Sequence, residues 1–488
     1  MAEALSSGSA APVVRRLPKA GAAETLIVGV GSCALVAGVS AAAGGYFPTA
    51  WGWTALALFW VTALALLLRG AVELGPPELV LLGALTLFGG WVWLSTTWSR
   101  SSPQSFLEGQ RVLVYVAAAA AAVLLVGRRS VPHLLAGLLT AITLVSAYGL
   151  ATRLFPDRIG VFDPFAGYRL EAPVGYWNAL GILASMGALL GLGFAARGST
   201  LARRALGAAA LSILFPVIYF TYSRSAWLVL GVGVLAAVAV DRRRLQLVTA
   251  FAFAAAAPAL AVLIASRSDA LTHKITSIDA AAHDGKRFAL VVLASAVVTA
   301  GLTVLVASLE SRFELGRTAR LAYGGALLAL VMAAIVAGIV RYGSPPTIAR
   351  KAYDSFVSKP TAGSESNLNK RLFSLQGNGR GQLWAVALDD FARHPLLGSG
   401  AGTYEQEWYR HRDIDLAVRD AHNLYVEQLA ELGLVGIALL LTALAVPFYA
   451  AFRARGTRLV SVAFAAYLAF VLHAAVDWDW EVPAVMLS

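Results

Sequence analysis

Apolar runs of about 20 residues recur from one end of the chain to the other, separated by short polar junctions. Each run is long enough for a helix to cross a hydrocarbon core of about 30 Å. The pattern predicts spans near 24–44, 51–69, 78–95, 111–127, 131–154, 176–196, 205–221, 224–240, 245–265, 288–308, 320–340, 423–451 and 457–476. After the last span the chain reads Asp-Trp-Asp-Trp-Glu-Val-Pro from Asp477, which looks like the opening turn of a further helix. It is either a truncated span or a short segment that re-enters the membrane. The reading is an all-α polytopic membrane protein with about 13–14 transmembrane helices.

One stretch breaks the pattern. Residues 341–422 are polar and too long for an ordinary connector, and such loops are usually functional or disordered. The chain therefore divides into a tail (1–23), eleven spans (24–340), a long extramembrane segment (341–422) and closing spans (423–488). In the segment, Leu383, Trp384, Val386, Ala387, Leu388 and Phe391 recur at helical spacing, with Arg380 one turn before Trp384. Pro395 ends that helix, and Gly398, Gly400 and Gly402 predict a compact turn. Asp420 or Asn423 then caps the next span.

Composition agrees. The chain of 488 residues is 58% hydrophobic and 14% charged, with mean hydropathy +0.69, against about 25% charged in soluble domains. The net charge of +11 comes from residues dispersed over many junctions, which argues against nucleic acid. Arg15, Arg16, Lys19, Arg69, Arg128, Arg129, Arg197, Arg203, Arg204, Arg242–Arg244, Arg312, Arg317, Arg320, Arg453, Arg455 and Arg458 mark the N-terminus and every even-numbered junction. By the positive-inside rule these face the cytoplasm, and segment 341–422 faces outward. Cys33 is the only cysteine, so no intrachain disulfide forms. P-loop, H-E-x-x-H, G-x-S-x-G and cysteine metal spacings are missing.

The polar segment supplies the chemistry. It orders Arg380-x-x-x-Trp384, His394-Pro395-Leu-Leu-Gly398-x-Gly400-x-Gly402, His422-Asn423-x-Tyr425 and Glu431-x-Gly433-x-x-Gly436. This order resembles the signature of the bacterial O-antigen ligase and polymerase family. Tyr168-Arg169-Leu170 with Gly175-Tyr-Trp-Asn178, and Ser223-Arg224-Ser225, echo it upstream. The resemblance implies a GT-C-like membrane glycosyltransferase without a cofactor or metal, inverting at the anomeric centre. It implies transfer of a glycan from a polyprenyl (undecaprenyl) diphosphate carrier to a hydroxyl of a glycan, lipid or protein acceptor. The place would be the outer face of a bacterial cytoplasmic membrane. A repeat-unit polymerase is the alternative within the family, and a lipid-linked glycan transporter or flippase the alternative outside it.

The residues suit that chemistry. A lipid diphosphate needs cations at the membrane edge, and the planar fork of arginine pairs with phosphate oxygens. An acceptor hydroxyl needs a base, and histidine titrates near neutrality. Arg224 stands between two apolar runs, where an arginine at a helix centre costs about 2.5–3.5 kcal/mol and defaults to a functional reading. His422, Arg380 and Arg224 are the expected catalytic residues, with His394 as an alternative base or a helix cap. Arg169, Asn178, His394, Asn423 and Trp384 are the expected substrate contacts. Asn178 and Asn423 have helix capping as a rival role. The pairs Asp413/Asp415 and Asp477/Asp479 read as solvated interfacial charge rather than metal ligands. Trp408 to Arg412 read as a sugar groove.

Overall fold

The computed structural model describes residues 21–488 apart from 69–71, 73, 161–165, 275–276, 311, 313–315 and 360–365. Arg15, Arg16, Lys19 and Arg69 of the basic pattern lie outside the described residues. Among the described residues the regular secondary structure is helical. In order come α1 (Ala22–Ala41), α2 (Pro48–Leu68), α3 (Pro76–Ser95), α4 (Ser102–Leu125), α5 (Val131–Leu154), α6 (Trp177–Arg197), α7 (Leu201–Thr221) and α8 (Arg224–Val240). Then follow α9 (Arg244–Ala265), α10 (Ile278–Glu310), α11 (Arg317–Tyr342), α12 (Pro345–Val357), α13 (Arg380–Arg393), α14 (Tyr404–His411), α15 (Leu424–Arg453) and α16 (Val460–His473). Among the described residues, 11 helices are long and apolar enough to cross a membrane. The expected spans at 224–240 and 457–476 are present as the shorter apolar helices α8 and α16.

Two helices start earlier than the apolar pattern predicts, α4 at Ser102 and α10 at Ile278. In α4 the first turns carry Glu108 and Arg111, and Arg111 pairs with both Glu108 and Glu481 inside the bundle. Apolar content marks lipid-facing turns, and it misses a turn whose polar groups are satisfied internally.

α6 is the axis of the bundle. Every residue from Asn178 to Ala196 is buried, with α7, α16, α8, α5 and α9 packed around it. Its small residues allow this close approach. At Gly191 a Cβ would stand 2.9 Å from the Gly207 carbonyl of α7, so these two backbones touch where side chains would hold them apart.

Loops at the two ends of the bundle keep separate company. At one end Arg197 pairs with Asp241 at 2.6 Å, Arg204 with Glu310 at 3.2 Å, and Ser461 donates to Asp241. At the other end the loops after α3, α5, α9 and α16 meet the segment between α11 and α15. Among the described residues, the basic junctions carrying Arg197 and Arg204 thus share one end and the polar segment lies at the opposite one.

The glycine motifs interlock that segment with α15. Gly433 breaks the helix with φ 65° and ψ −165°. The freed backbone groups are met from outside: Ser399 N donates to Ala430 O (3.0 Å), Gly400 N to Glu431 O (2.8 Å), Trp91 Nε1 to Leu432 O (3.1 Å), and Leu434 N to Pro395 O (2.9 Å). A Cβ on Gly433 would lie 2.3 Å from the Leu396 carbonyl, so no other residue fits. The Glu431 carboxylate accepts from Gly402 N in the turn and from Tyr404 N, the first amide of α14, at 2.8 and 2.9 Å.

Candidate active site

Six separate stretches meet at the polar end. The loop after α5 brings Arg169, fixed where Leu170 N donates to Phe220 O at 2.9 Å. The start of α6 brings Tyr176 and Asn178, and the start of α8 brings Arg224. The segment before α13 brings Arg371, and Arg380 is the first residue of α13. His422 precedes α15, and the turn after α16 brings Asp477.

Asp477 is the hub. Its carboxylate has no solvent exposure and accepts from Tyr176 Oη (2.5 Å), Asn178 Nδ2 (2.5 Å) and Arg380 (2.9 Å). Burial pulls the Asp477 carboxyl upward. The charge of Arg380, with His473 and the Tyr176 hydroxyl, outweighs that and holds it below the usual carboxylate range. Asp477 and Asp479 are therefore not solvated interfacial charges. Both are buried, and Asp479 pairs with buried His473 at 2.8 Å. Asp413 and Asp415, 57% and 97% exposed, do match the solvated reading.

Around the hub the cations outnumber the acid. Arg169 lies over the Trp177 ring at 3.3 Å, and Tyr176 stacks on Trp478 at 4.4 Å. Arg169 is pushed down to about 9, by burial first and by the charge of Arg371 second. Arg371 is lowered by burial and then by Arg380. A guanidinium still keeps its proton at neutral pH. The shifts express the cost of crowding buried cations, which an anion would relieve. Arg224 lies within electrostatic reach of Arg371 and Arg380. It donates to the Ser374 carbonyl and, at 2.9 Å, to Gln376 O, so it also clips the segment carrying Arg371. Further hydrogen bonds from Leu368 N to Thr272 O and Lys274 N to Ser366 O tie that segment down, both at 2.9 Å.

His422 sits beside the hub, partly buried, with φ 55°. Its Nδ1 lies 3.1 Å from the Asp420 carbonyl, which assigns the proton to Nδ1 and leaves Nε2 as an acceptor. Burial pushes the imidazole down, and Arg380 adds to that against the opposing charge of Asp477. His422 is thus neutral at physiological pH.

The other expected residues have different surroundings. Asn423 caps α15, accepting from Tyr425 N and Val426 N at 3.0 and 3.1 Å. Asn178 caps nothing, since Tyr176 holds that position in α6. Trp384 packs on Phe356, with ring centroids 5.0 Å apart. His394 follows α13 at the end opposite Arg380, bonded to Asp390. Trp408 belongs to the core with Leu383 and Tyr404 rather than to a groove. Arg371, Tyr176 and Asp477 are the site residues that sequence reasoning missed: Arg371 belongs to no spaced motif, Tyr176 stands within Gly175-Tyr-Trp-Asn178 without a role, and Asp477 reads as solvated charge.

One acidic group could hold a cation. Asp420, Glu427 and Glu481 bring carboxylate oxygens within 4.8 Å of one another. Burial, then the charge of Glu481, raises Asp420 well above the usual carboxylate range.

The O-antigen ligase family model matches residues 274–441. That stretch contains Arg371, Arg380, His394, His422 and Asn423, while Arg169, Arg224 and Asp477 lie outside it. Comparison with curated proteins gives no match.

Proposed function

We propose that this chain, which carries an O-antigen ligase domain in a multi-pass membrane protein, transfers a glycan from a polyprenyl diphosphate carrier to an acceptor hydroxyl on the outer face of a bacterial cytoplasmic membrane. The observation that carries the reading is the excess of arginine over carboxylate beside a neutral histidine. Arg169, Arg371 and Arg380, with Arg224 behind them, crowd around Asp477, and the cost of their charges favours a dianionic ligand.

The step balances simply. His422 Nε2 takes the acceptor hydroxyl proton as its oxygen bonds to the anomeric carbon. The bond from that carbon to the diphosphate oxygen breaks, and the electron pair leaves with the polyprenyl diphosphate. Attack opposite the leaving group inverts the centre. The arginines stabilise charge as it grows on the leaving group, the type of interaction that lowers a barrier most. Asp477 holds Arg380 and, through Asn178 and Tyr176, the loop carrying Arg169. No metal enters this scheme. A repeat-unit polymerase would use the same donor chemistry and differ in its acceptor.

The test is the reaction itself. Purified protein in nanodiscs receives a defined polyprenyl-diphosphate glycan, with and without acceptor, in EDTA. Acceptor-dependent product without added metal supports the reading. Complete loss in EDTA, restored by Mg²⁺ or Mn²⁺, would move the chemistry to Asp420, Glu427 and Glu481.

A further inference from the structure

We propose that the Arg393 end of α13 carries a subsite for an acidic sugar of the acceptor, one bearing a phosphate or carboxylate. The proposal rests on the transfer reading above and deepens it by naming the acceptor's chemistry.

Three observations converge there. First, a pocket of about 380 Å³ lies between the turn after α3 and the loop after α13, lined by Trp98, Arg100, His394 and Pro395 through Ser399. That volume falls within the range of small-molecule sites. Second, the indole N–H of Trp98 is buried and, among the described residues, has no acceptor. A buried donor left unmet is costly, and a ligand oxygen would meet it. Third, the pocket borders a cationic rosette. The buried Glu407 carboxylate is ringed by Arg100, Arg393 (2.8 Å), Arg410 (3.1 Å) and His411 (3.4 Å). Asp390 adds a second carboxylate, shared by Arg393 and His394 at 3.3 and 3.2 Å. Three arginines face two acids, so the patch is positive from the arginines alone. The arginines remain 41–54% exposed, open to a second anion.

An acidic sugar suits all three features. A hydroxyl meets the Trp98 N–H, the acid group meets the arginines in charge-assisted bonds, and the carbon face of the ring covers Trp98 and the exposed Leu396 and Leu397. Placement supports an acceptor role. α13 has 14 residues, so its two ends lie about 20 Å apart. An oligosaccharide spans that distance, with one end at His422 and an acidic residue at the rosette.

The experiment uses the full chain in nanodiscs of zwitterionic lipid. The probes are a phosphorylated tetrasaccharide, its dephosphorylated twin and inorganic phosphate. The phosphorylated sugar is expected to bind at least about tenfold more tightly than either of the others. Trp98→Phe, which keeps a ring and removes the N–H, and Arg100→Gln should each weaken that binding about fivefold or more, with donor binding and thermal midpoint unchanged. Equal binding of both saccharides, or inorganic phosphate binding as tightly as the sugar, overturns the subsite. So does Trp98→Phe binding like the parent, or loss of saccharide binding when anionic lipid is added, which would assign the patch to headgroups. Transfer without this discrimination refutes the subsite alone; discrimination without transfer from the lipid diphosphate refutes the transfer reading alone.

Discussion

At the Arg380 end of α13, partly buried arginines crowd around one fully buried carboxylate, Asp477, and Arg380 alone forms an ion pair with it among the described residues. At the Arg393 end, three half-exposed arginines and a histidine share Glu407. Similar side chains are wired differently. In the first arrangement, losing a single partner strands a buried charge. In the second, several partners back one another up and water screens each pair. The first geometry is fixed and dry, as suits a reacting centre. The second is open and redundant, as suits recognition.

The sharpest way to break this comparison is to delete one arginine at each end. Arg380→Ala leaves the Asp477 carboxylate buried without its partner, and breaking such a pair costs about 3–5 kcal/mol. Arg410→Ala removes one of several partners and should cost about 0.2–1 kcal/mol, as exposed pairs do. Thermal unfolding in detergent measures both, and equal losses would abolish the distinction. A finer test is Tyr176→Phe. It removes the 2.5 Å hydrogen bond to Asp477 and leaves the ring stacked on Trp478. The expected loss is about 0.5–1.5 kcal/mol of stability, or more because the acceptor is charged.

What the sequence discloses follows the same division. The helices are legible because lipid demands long apolar runs, and eleven of the thirteen predicted spans begin within about four residues of the observed helix. α4 and α10 depart most; in α4 the early turns bury the Arg111 ion pairs, which apolar content misses, and in α10 they carry charged residues around buried alanines and a glycine. In the site, His422, Arg380, Arg224, Arg169 and Asn178 stand in recognisable motifs and are brought together. Arg371 and the burial of Asp477 are invisible to pattern, since an arginine in a polar loop and an Asp-x-Asp pair after the last span look like solvated charge. Only the tertiary placement buries them. The glycine motif predicts a compact turn, and Gly398 and Gly433 lock that turn into the break in α15, while His394 takes the helix-cap role rather than that of a base beside the hub.

Orientation needs its own check, because both ends of α13 must face the compartment that holds the donor. In a Cys33→Ser background, Asp415→Cys should react with an impermeant thiol reagent in intact cells, and Gly456→Cys should not. The reverse labelling would place the arginines inside the cell.

A smaller effect concerns pH. His422 is held below the ordinary histidine value, so its neutral form persists as pH falls through neutrality. Its contribution to stability is likewise present above the unfolded value of about 6.5 and lost as pH falls through the lower folded one. The transfer rate should stay level from about pH 8 to about pH 6.5 and fall only in acid. A falling limb centred above neutrality would show that another group carries the proton.

The central claim is that His422 moves the proton while the arginines hold the diphosphate. The most direct measurement pairs two readouts on one variant: donor affinity and single-turnover transfer by His422→Ala in nanodiscs. The account predicts donor affinity within about threefold of the parent and transfer lowered by about 10²–10⁴-fold, the usual contribution of general base catalysis. Transfer at the parental rate, or a loss explained wholly by weaker donor binding, would contradict it.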